Sequence, residues 1–262
     1  MRQKLGQHFL KNKSAIKKIA GALDFKPGDT IIEIGPGHGE LTQELAILTH
    51  KMRLVMIERD ENLVGELKTK FSEMENVEVL AGDALEVLPG VISNLKSTNY
   101  KLVGNIPYYI TGKLFRLLSD AINKPSLSVF TIQLEVAERM TAVPPKMNRL
   151  AAIIQLWAEP SIIMGLSRND FSPAPEVDSA VVKLKVKDEN LRTNGGDYYK
   201  MVRILFQQPR KTVLNNLAEI LPDKEKITLM LAGLGIDGKN RPQDLGVEEI
   251  LEIARKFEVL DL

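Results

Sequence analysis

The stretch Ile31-Ile32-Glu33-Ile34-Gly35-Pro36-Gly37-His38-Gly39 decides the fold class of this chain of 262 residues. A short, mostly apolar run is followed by a turn with three glycines and then by Gly39–Leu48, in which Leu41, Leu45 and Leu48 share one helical face. Glycines let the backbone of such a turn adopt positive φ angles and approach a ligand closely. The stretch therefore predicts a strand, a ligand-binding turn and a helix within an α/β sheet.

The spacing of the glycines distinguishes between kinds of nucleotide-like ligand. A dinucleotide fingerprint G-x-G-x-x-G needs glycine at position 40, where Glu40 stands, and a P-loop needs a G-K-[ST] sequence that is absent here. S-adenosylmethionine has no pyrophosphate, so a turn that binds it can depart from both patterns. The turn is compatible with that cofactor. The alternative is a tight strand-to-helix turn that binds no ligand.

Up to Val186, short apolar runs alternate with longer helix-like segments, which is typical of a parallel sheet with crossover helices. The predicted strands are Thr30–Ile34, Arg53–Glu58, Val77–Ala81, Lys101–Gly104, Leu127–Gln133, Ser161–Gly165 and Ala180–Val186. Crossover helices are predicted over Gly39–Leu48, Asn62–Phe71 and Gly112–Leu118.

The character of the sequence changes after Val186. Lys187–Asp197 is polar, contains two consecutive glycines and predicts a linker. The segments with helical spacing beyond it are Tyr198–Ile220, Lys224–Leu234 and Val247–Phe257. We therefore predict an α/β domain with a seven-stranded, mostly parallel sheet over residues 1–187 and a small all-α domain over residues 188–262.

Composition excludes several classes of protein. The chain has no cysteine, so disulfide scaffolds, thiolate metal sites and a cysteine nucleophile are excluded. Its histidines, His8, His38 and His50, are too far apart in sequence for metal-ligand spacing, and we predict no metal. No apolar run approaches the roughly 20 residues of a membrane span. We expect a cytoplasmic, monomeric protein with no membrane partner.

Two basic stretches lack acidic residues. The first, residues 1–20, contains Arg2, Lys4, Lys11, Lys13, Lys17 and Lys18. The second contains Lys200, Arg203, Arg210 and Lys211. Such stretches can track a phosphate backbone, or they can be solvated helix faces, and the sequence leaves both interpretations open.

Two acids follow the next two predicted strands. Glu58 ends the second strand, where a carboxylate can accept hydrogen bonds from both ribose hydroxyls of a nucleoside. Asp83 follows the third strand and can accept from the adenine amine of a cofactor. Either acid alone is more typical of a solvated loop. Together with the glycine turn, they predict a nucleoside site along three strand ends.

Asn105-Ile106-Pro107-Tyr108 follows the fourth strand, at the edge where such sheets bind ligands. An aromatic amine is a poor nucleophile because its lone pair is delocalised into the ring. The side-chain carbonyl of Asn105 and the backbone carbonyl of Ile106 can accept hydrogen bonds from adenine N6 and aim its lone pair at an activated methyl group. Pro107 fixes the backbone, and Tyr108 offers a face for an extruded base. The alternative is a proline turn whose aromatics fill a core.

Phe171-Ser172-Pro173-Ala174-Pro175 precedes the last strand, and its two prolines predict a stiff loop. We expect this loop to hold Phe171 outward, where its ring closes the second face of a base stacked on Tyr108. The competing interpretation is a buried core phenylalanine.

These motifs together resemble the KsgA-type 16S rRNA adenine dimethyltransferases, and the resemblance spans nearly the whole chain. The matching stretches are Lys4–Leu10, the glycine turn, Glu58, Asp83, Asn105–Tyr108, Gln133–Ala137, the Phe171 loop and Phe206–Thr212. The resemblance implies a Rossmann-like class I methyltransferase fold with a helical C-terminal domain that orients the rRNA substrate. It implies S-adenosylmethionine as cofactor, bound by His8, Leu10, Gly35, Glu58, Asp83 and Asn105.

The resemblance further implies transfer of four methyl groups to two adjacent adenosines in a hairpin near the 3′ end of 16S rRNA, within an assembling small subunit. This sequence departs from the family pattern at His8, often asparagine, at Leu134, commonly lysine, and at Met147-Asn148, where Tyr-Gly is usual. Three alternatives remain: a large-subunit rRNA methyltransferase of the macrolide-resistance type, a protein-glutamine or DNA-adenine methyltransferase, and an assembly factor whose binding role outweighs catalysis.

Overall fold

The computed structural model describes residues 7–48, 52–95, 99–187 and 195–258. Arg2, Lys4 and His50 lie outside these residues, as do the first half of the Lys4–Leu10 motif and most of the predicted linker, 188–194. The chain divides into two compact units, Met1–Ala137 with Glu159–Val186 and Glu138–Ala158 with Lys187–Leu262.

The secondary structure alternates strands and helices and then becomes helical. The strands are β1 (Phe9–Leu10), β2 (Thr30–Ile34), β3 (Arg53–Glu58), β4 (Val77–Ala81), β5 (Tyr100–Asn105), β6 (Leu127–Gln133), β7 (Ala158–Leu166), β8 (Phe171–Ser172) and β9 (Ser179–Val186). The helices are α1 (Lys13–Gly21), α2 (Glu40–Leu48), α3 (Glu61–Lys70), α4 (Ala84–Ser93), α5 (Thr111–Asp120), α6 (Leu134–Met140), α7 (Arg149–Trp157), α8 (Gly196–Leu205), α9 (Val213–Leu217), α10 (Lys224–Gly233) and α11 (Val247–Glu258).

Seven of the strands form one sheet in the order β4-β3-β2-β5-β6-β9-β7, which confirms the predicted seven-stranded sheet. β2 pairs in parallel with β3 and β5, β3 with β4, and β5 with β6, whereas β9 pairs antiparallel with β6. The chain builds outward from β2 to β4 and then returns to the other side of β2 with β5. Sheets of this kind bind ligands outside the carboxyl ends of the strands, where the strand order reverses.

The amino-terminal edge of the sheet is fixed by a buried ion pair. Lys101 Nζ, at the start of β5, lies 2.8 Å from the Asp29 carboxylate, and the two side chains are 5% and 0% exposed. Asp29 also accepts from the backbone N–H of Lys26 at 2.7 Å and from Asn99 Nδ2 at 2.6 Å. Lys101 donates in addition to the carbonyl oxygen of Leu23 at 2.8 Å. This network ties the loop before β2 to the neighbouring strand β5.

The second unit has a core of its own, and it includes Glu138–Ala158, which the prediction placed in the first domain. Ala151, Ala152 and Leu156 of α7 belong to the same apolar cluster as Tyr198 and Val202 of α8. The hydroxyl of Tyr198 donates to the carbonyl oxygen of Ala152 at 3.0 Å. Residues 138–158, predicted to be part of the first domain, are therefore part of the second unit because their apolar face is buried there.

The predicted helical segment Tyr198–Ile220 is two helices, so the prediction was wrong over residues 206–212. α8 ends at Leu205, and α9 begins at Val213. Pro209 lies between them and has no backbone N–H to continue a helix. Thr212 caps α9, because its side-chain oxygen accepts from the backbone N–H of Asn215 at 3.3 Å.

Candidate active site

The carboxyl ends of β2, β3, β4 and β5 surround a cavity of about 800 Å³, counting its open mouth. Most of the residues that the sequence predicted as site residues line it: His8, Gly35, Glu58, Asp83, Asn105, Ile106, Pro107, Tyr108 and Phe171. These residues come from widely separated parts of the chain, and parallel strands bring them to one edge of the sheet.

The glycine turn has the backbone conformation that its sequence predicts. Gly35 and Gly37 have φ angles of 66° and 60°, in the left-handed region where other residues are strained. A Cβ atom at Gly37 would lie 2.8 Å from the ring of Phe9, so no larger side chain fits there. The backbone N–H of Gly35 donates to the carbonyl oxygen of Ile57 at 3.0 Å, which joins the turn to the end of β3.

Glu58 is buried at the end of β3, with 5% of its surface exposed. Its Oε1 accepts from the backbone N–H groups of Arg59 and Asp60 at 2.8 and 2.9 Å. Its Oε2 lies 3.2 Å from the backbone nitrogen of Gly37, which donates to it. The three donors fix the carboxylate beside the glycine turn, where it can still accept hydrogen bonds from a ligand hydroxyl.

Asp83 has a structural role as well as a place in the cavity. Its Oδ1 accepts from the backbone N–H of Leu85 at 2.9 Å and caps α4. Its Oδ2 lies 3.5 Å from Nη1 of Arg59. Gly82 precedes it, and the Gly82 N–H donates to the backbone carbonyl oxygen of Glu58 at 2.8 Å. The acids that follow β3 and β4 are thus held next to each other.

Asn105 ends β5, and its carboxamide is oriented by the chain before β1. Nδ2 donates to the backbone carbonyl oxygen of His8 at 2.6 Å. The backbone N–H of Ile106 donates to the carbonyl oxygen of Thr131 at 3.0 Å, and the Pro107 carbonyl accepts from Ile110 N–H at 3.0 Å. These bonds fix the tetrapeptide from both sides. The Asn105 Oδ1 consequently faces away from the His8 carbonyl as a hydrogen-bond acceptor.

Tyr108 is anchored by its hydroxyl, which lies 2.8 Å from Oγ of the buried Ser179 on β9. The His8 ring is stacked against the Tyr108 ring, with centroids 6.1 Å apart and planes inclined by 30°. His8 Nδ1 in turn lies 2.9 Å from the backbone oxygen of Pro173. An aromatic face held at the rim of the cavity in this way can receive a second planar ring.

Phe171 and Leu10 depart from expectation. Phe171 is 2% exposed and belongs to the apolar core, so the outward position predicted for it was wrong, although it also lines the main cavity. It forms the short strand β8, which pairs antiparallel with β1 through Leu10 and Phe171. The side chain of Leu10 is also in this core and lines a second, smaller cavity rather than the main one.

Sequence reasoning missed several residues of the site. Gln7, Phe9, Arg59 and Tyr109 also line the main cavity. The available signal was position alone, because each of these residues is adjacent to a residue that was singled out.

Glu33 of β2 does not line the main cavity, and it entered the sequence analysis only as part of the glycine motif. Burial raises its pKa to about 8, although a hydrogen bond from Thr42 Oγ1 at 2.8 Å opposes the shift.

The two basic stretches differ in their partners. In α1 and just before it, Lys11, Lys13, Lys17 and Lys18 are exposed, and no ion pair joins them to a carboxylate within the described ranges. In the second unit, Lys200 pairs with Asp197 at 3.0 Å and Lys211 with Glu219 at 3.1 Å. The lysines of α1 therefore form a basic surface without ion pairs among the described residues, and the exposed Arg203 and Arg210 of the second stretch have none there either.

The described residues contain neither a metal-binding cluster nor a membrane-spanning helix. No group of three or more histidine or acidic side chains is arranged to hold a metal ion within that part of the chain. No helix there combines the length and the apolar character needed to cross a membrane.

A mostly parallel sheet that reverses its order beside a glycine turn, with acids at the next two strand ends, defines a Rossmann-like class I methyltransferase. The family model described as ribosomal RNA adenine dimethylase matches residues 1–258, and the chain belongs to this family.

Relatives and solved structures agree with that assignment. The chain is 37% identical to a ribosomal RNA small subunit methyltransferase A from Moorella thermoacetica, over 98% of this chain and 92% of the relative. A dimethyladenosine transferase from Plasmodium falciparum is 26% identical, with a TM-score of 0.81 over 97% of this chain and 99% of that one. The 23S rRNA methyltransferase ErmE is also 26% identical, with a TM-score of 0.75 over 95% and 99%.

Proposed function

We propose that this ribosomal RNA adenine dimethylase acts on the small subunit and dimethylates N6 of two adjacent adenosines in a hairpin near the 3′ end of 16S rRNA. The observation that carries the proposal is the fixed carboxamide of Asn105, held by the His8 carbonyl in one cavity with Glu58, Asp83 and Tyr108. The relatives at about 37% identity are named ribosomal RNA small subunit methyltransferase A, which supports the small-subunit assignment.

The cavity fits S-adenosylmethionine. The buried carboxylate of Glu58 can accept hydrogen bonds from the ribose hydroxyls of the cofactor. Asp83 can accept a hydrogen bond from the adenine amine of the cofactor. The backbone of the glycine turn at Gly35 can approach closely because no side chain intervenes. His8 lies at the end of the cavity nearest Asn105, where it can contact the methionine part. The bound cofactor supplies a methyl group on a positively charged sulfur atom, which makes the remainder a good leaving group.

The residues after β5 position the target base. Asn105 Oδ1 and the Ile106 carbonyl oxygen accept hydrogen bonds from adenine N6 and turn its lone pair toward the methyl group. Pro107 keeps these two acceptors convergent. Tyr108, anchored on Ser179, stacks on the extruded base. No strong general base is required, because the amine loses its proton after transfer, so catalysis is mainly positioning.

The RNA partner is recognised by charge around the cavity. The exposed lysines of α1 come shortly after β1, and Gln7, His8 and Phe9 at the start of that segment line the cavity. We assign the RNA phosphate backbone to this surface. In this proposal the protein acts in the cytoplasm as a monomer and needs no metal. It binds 16S rRNA within the assembling small subunit, and its helical C-terminal unit orients the substrate.

Mass spectrometry of rRNA after incubation with enzyme and S-adenosylmethionine tests the proposal. Small subunits that lack the modification should yield N6,N6-dimethyladenosine in 16S rRNA, and large subunits should yield none. Asn105→Ala, treated identically, is the control and should give almost no product. Dimethyladenosine found only in 23S rRNA would instead show that the chain is a 23S rRNA methyltransferase, like ErmE.

The Asn105→Ala variant also tests whether binding to the immature small subunit, the role of an assembly factor, can be separated from catalysis. If Asn105→Ala still binds immature small subunits with the affinity of the parent protein, the two roles are carried by different residues. If it loses binding as well as methylation, the division of roles proposed here is wrong.

A further inference from the structure

His38, within the glycine turn, contacts two other segments of the first unit. Its ring lies against the ring of Phe9 of β1, with centroids 4.6 Å apart and planes inclined by 50°. Its Nδ1 lies 3.1 Å from Oε2 of Glu66 on α3. An ionised carboxylate can only accept a hydrogen bond, so this contact places a proton of the imidazole on Nδ1. The glycine pattern of the turn gives no reason for a histidine at this position.

Helix α3 holds His38 at both its backbone and its side chain. Lys70 Nζ donates to the backbone carbonyl oxygen of His38 at 2.7 Å, and Glu66 accepts from its ring. Glu66 and Lys70 are four residues apart, so they lie on the same face of the helix. A Cβ atom at Gly39 would lie 3.1 Å from the side chain of Leu67, which shows that the turn packs closely on this face. The imidazole therefore has a defined position, although 47% of the side chain is exposed.

The ring of Phe9 contacts the glycine turn as well as His38. A Cβ atom at Gly37 would lie 2.8 Å from the Phe9 ring, so the ring packs directly on the backbone of the turn. The backbone of Phe9 pairs with Ser172 of β8, and its half-buried side chain lines the main cavity. The His38 ring is therefore part of the surroundings that keep Phe9 at the edge of the cavity.

The position of Phe9 determines the direction of the His8 carbonyl. The His8 carbonyl oxygen accepts from Nδ2 of Asn105 at 2.6 Å. This oxygen belongs to the peptide group that joins His8 to Phe9, and a peptide group is planar. A displacement of Phe9 consequently turns the oxygen that orients the Asn105 amide. Contacts thus run without a break from Glu66 through His38 and Phe9 to the carboxamide of Asn105.

We propose that His38 is a positioning residue for methyl transfer, which holds Phe9 on the glycine turn and so keeps the His8 carbonyl aligned with Asn105. The inference rests on the proposed function of Asn105 and extends it to a side chain that does not itself line the main cavity. The contact between the two rings supplies the restraint, and the hydrogen bond to Glu66 fixes the plane of the imidazole.

Steady-state methylation of small subunits that lack the modification, at saturating S-adenosylmethionine, separates the ring of His38 from its hydrogen bond. His38→Gln keeps a donor for Glu66 but has no ring, and kcat should fall about tenfold because a catalytic group is less well placed. The KM for small subunits should stay within about twofold of the parent value. His38→Phe keeps a ring against Phe9 and loses the donor, so it should recover most of the parent kcat.

Arg53→Ala is the matched control. Arg53 lies at the opposite end of β3, and its exposed side chain pairs with Glu78 at 2.6 Å, so its loss should leave kcat unchanged. Urea unfolding is measured for every variant. The His38 side chain is half-exposed, so its substitutions should change the free energy of unfolding little, and a fall in kcat then reflects folded protein.

The double variant His38→Gln with Phe9→Leu tests whether His38 acts through Phe9. Phe9→Leu alone should lower kcat, and adding His38→Gln should lower it no further. The proposal is overturned by an unchanged kcat in His38→Gln, by losses that multiply in the double variant, or by a His38→Phe protein as slow as His38→Gln. A raised KM with unchanged kcat would also overturn it, since His38 would then contact RNA. A parent protein that does not methylate small subunits would instead refute the proposed function itself.

Discussion

The side-chain amide of Asn105 donates to the backbone carbonyl oxygen of His8 across 2.6 Å, and this bond joins positions 97 residues apart. An amide whose nitrogen is engaged in this way has a defined orientation, so its oxygen is held as an acceptor before any substrate arrives. Preorganised polar groups of this kind are worth more than flexible ones, because they need no rearrangement during the reaction.

Asn105→Ala should reduce methyl transfer by about 100-fold or more, which is the typical effect of removing one preorganised hydrogen-bonding group. Asn105→Asp should be nearly as poor, because a carboxylate has no N–H to donate to the His8 carbonyl. Single-turnover transfer of labelled methyl groups to small subunits measures both effects. Activity within threefold of the parent in either variant would be inconsistent with the proposed role.

Tyr108→Ala should lower the rate of methylation much more than the affinity for S-adenosylhomocysteine, because the ring is assigned to the target base. Tyr108→Phe keeps the ring and loses only the bond to Ser179, so its defect should be smaller. Rates and equilibrium affinities of the two variants are compared with those of the parent. A large loss of cofactor affinity in Tyr108→Ala would assign the ring to the cofactor instead.

Lys13→Glu with Lys17→Glu should weaken RNA binding and flatten its dependence on salt concentration, because two exposed lysines of α1 no longer neutralise phosphates. Affinity for S-adenosylhomocysteine should not change. The control is Lys68→Glu with Lys226→Glu, which alters the net charge equally at exposed positions on α3 and α10. Equal losses of RNA affinity in both double variants would show an effect of net charge, not of the α1 surface.

Glu33 makes stability depend on pH. Burial raises its folded-state pKa from 4.5 to about 8, so between these values the folded state binds more protons than the unfolded state. Its contribution to stability is therefore full below about pH 4.5 and is lost as pH rises through 8. Glu33→Gln should remove this decline, as measured by urea unfolding at pH 6 and pH 8.5. The same decline in parent and variant would mean that another group is responsible.

Lys101→Ala should destabilise the fold by about 3–5 kcal/mol, because it leaves the buried carboxylate of Asp29 without its cation. Urea unfolding at neutral pH measures the change. Arg255→Ala removes an exposed ion pair with Glu252 and serves as the control, with little change expected. Similar losses in both variants would contradict the distinction between buried and exposed pairs.

The parts of the structure that the sequence predicted are those with a local signal. The glycine turn follows from three glycines after an apolar strand, and Glu58, Asp83 and Asn105 follow from their positions at strand ends. The parts that were missed depend on distant pairing. β1 and β8 have two residues each, too few for periodicity, and they meet through residues such as Leu10 and Phe171. That pairing buries Phe171, which no local pattern indicates.

Contacts between the ends of strands that are not neighbours in the sheet could also not be predicted from the sequence. The bond from Arg59 to Tyr109 depends on β2 lying between β3 and β5, which only the strand order reveals. Likewise, the apolar face of α7 is equally compatible with packing on the sheet or in the second unit. Its burial against Tyr198 decides that residues 138–158 belong to the latter.

A crystal structure with S-adenosylhomocysteine and an adenosine-containing RNA fragment is the most direct measurement. It should show adenine N6 within about 2.7–3.2 Å of both Asn105 Oδ1 and the Ile106 carbonyl oxygen, with the base stacked on Tyr108. A structure in which Asn105 turns its amide oxygen away from the base, or in which no nucleobase fits beside Tyr108, would contradict the account.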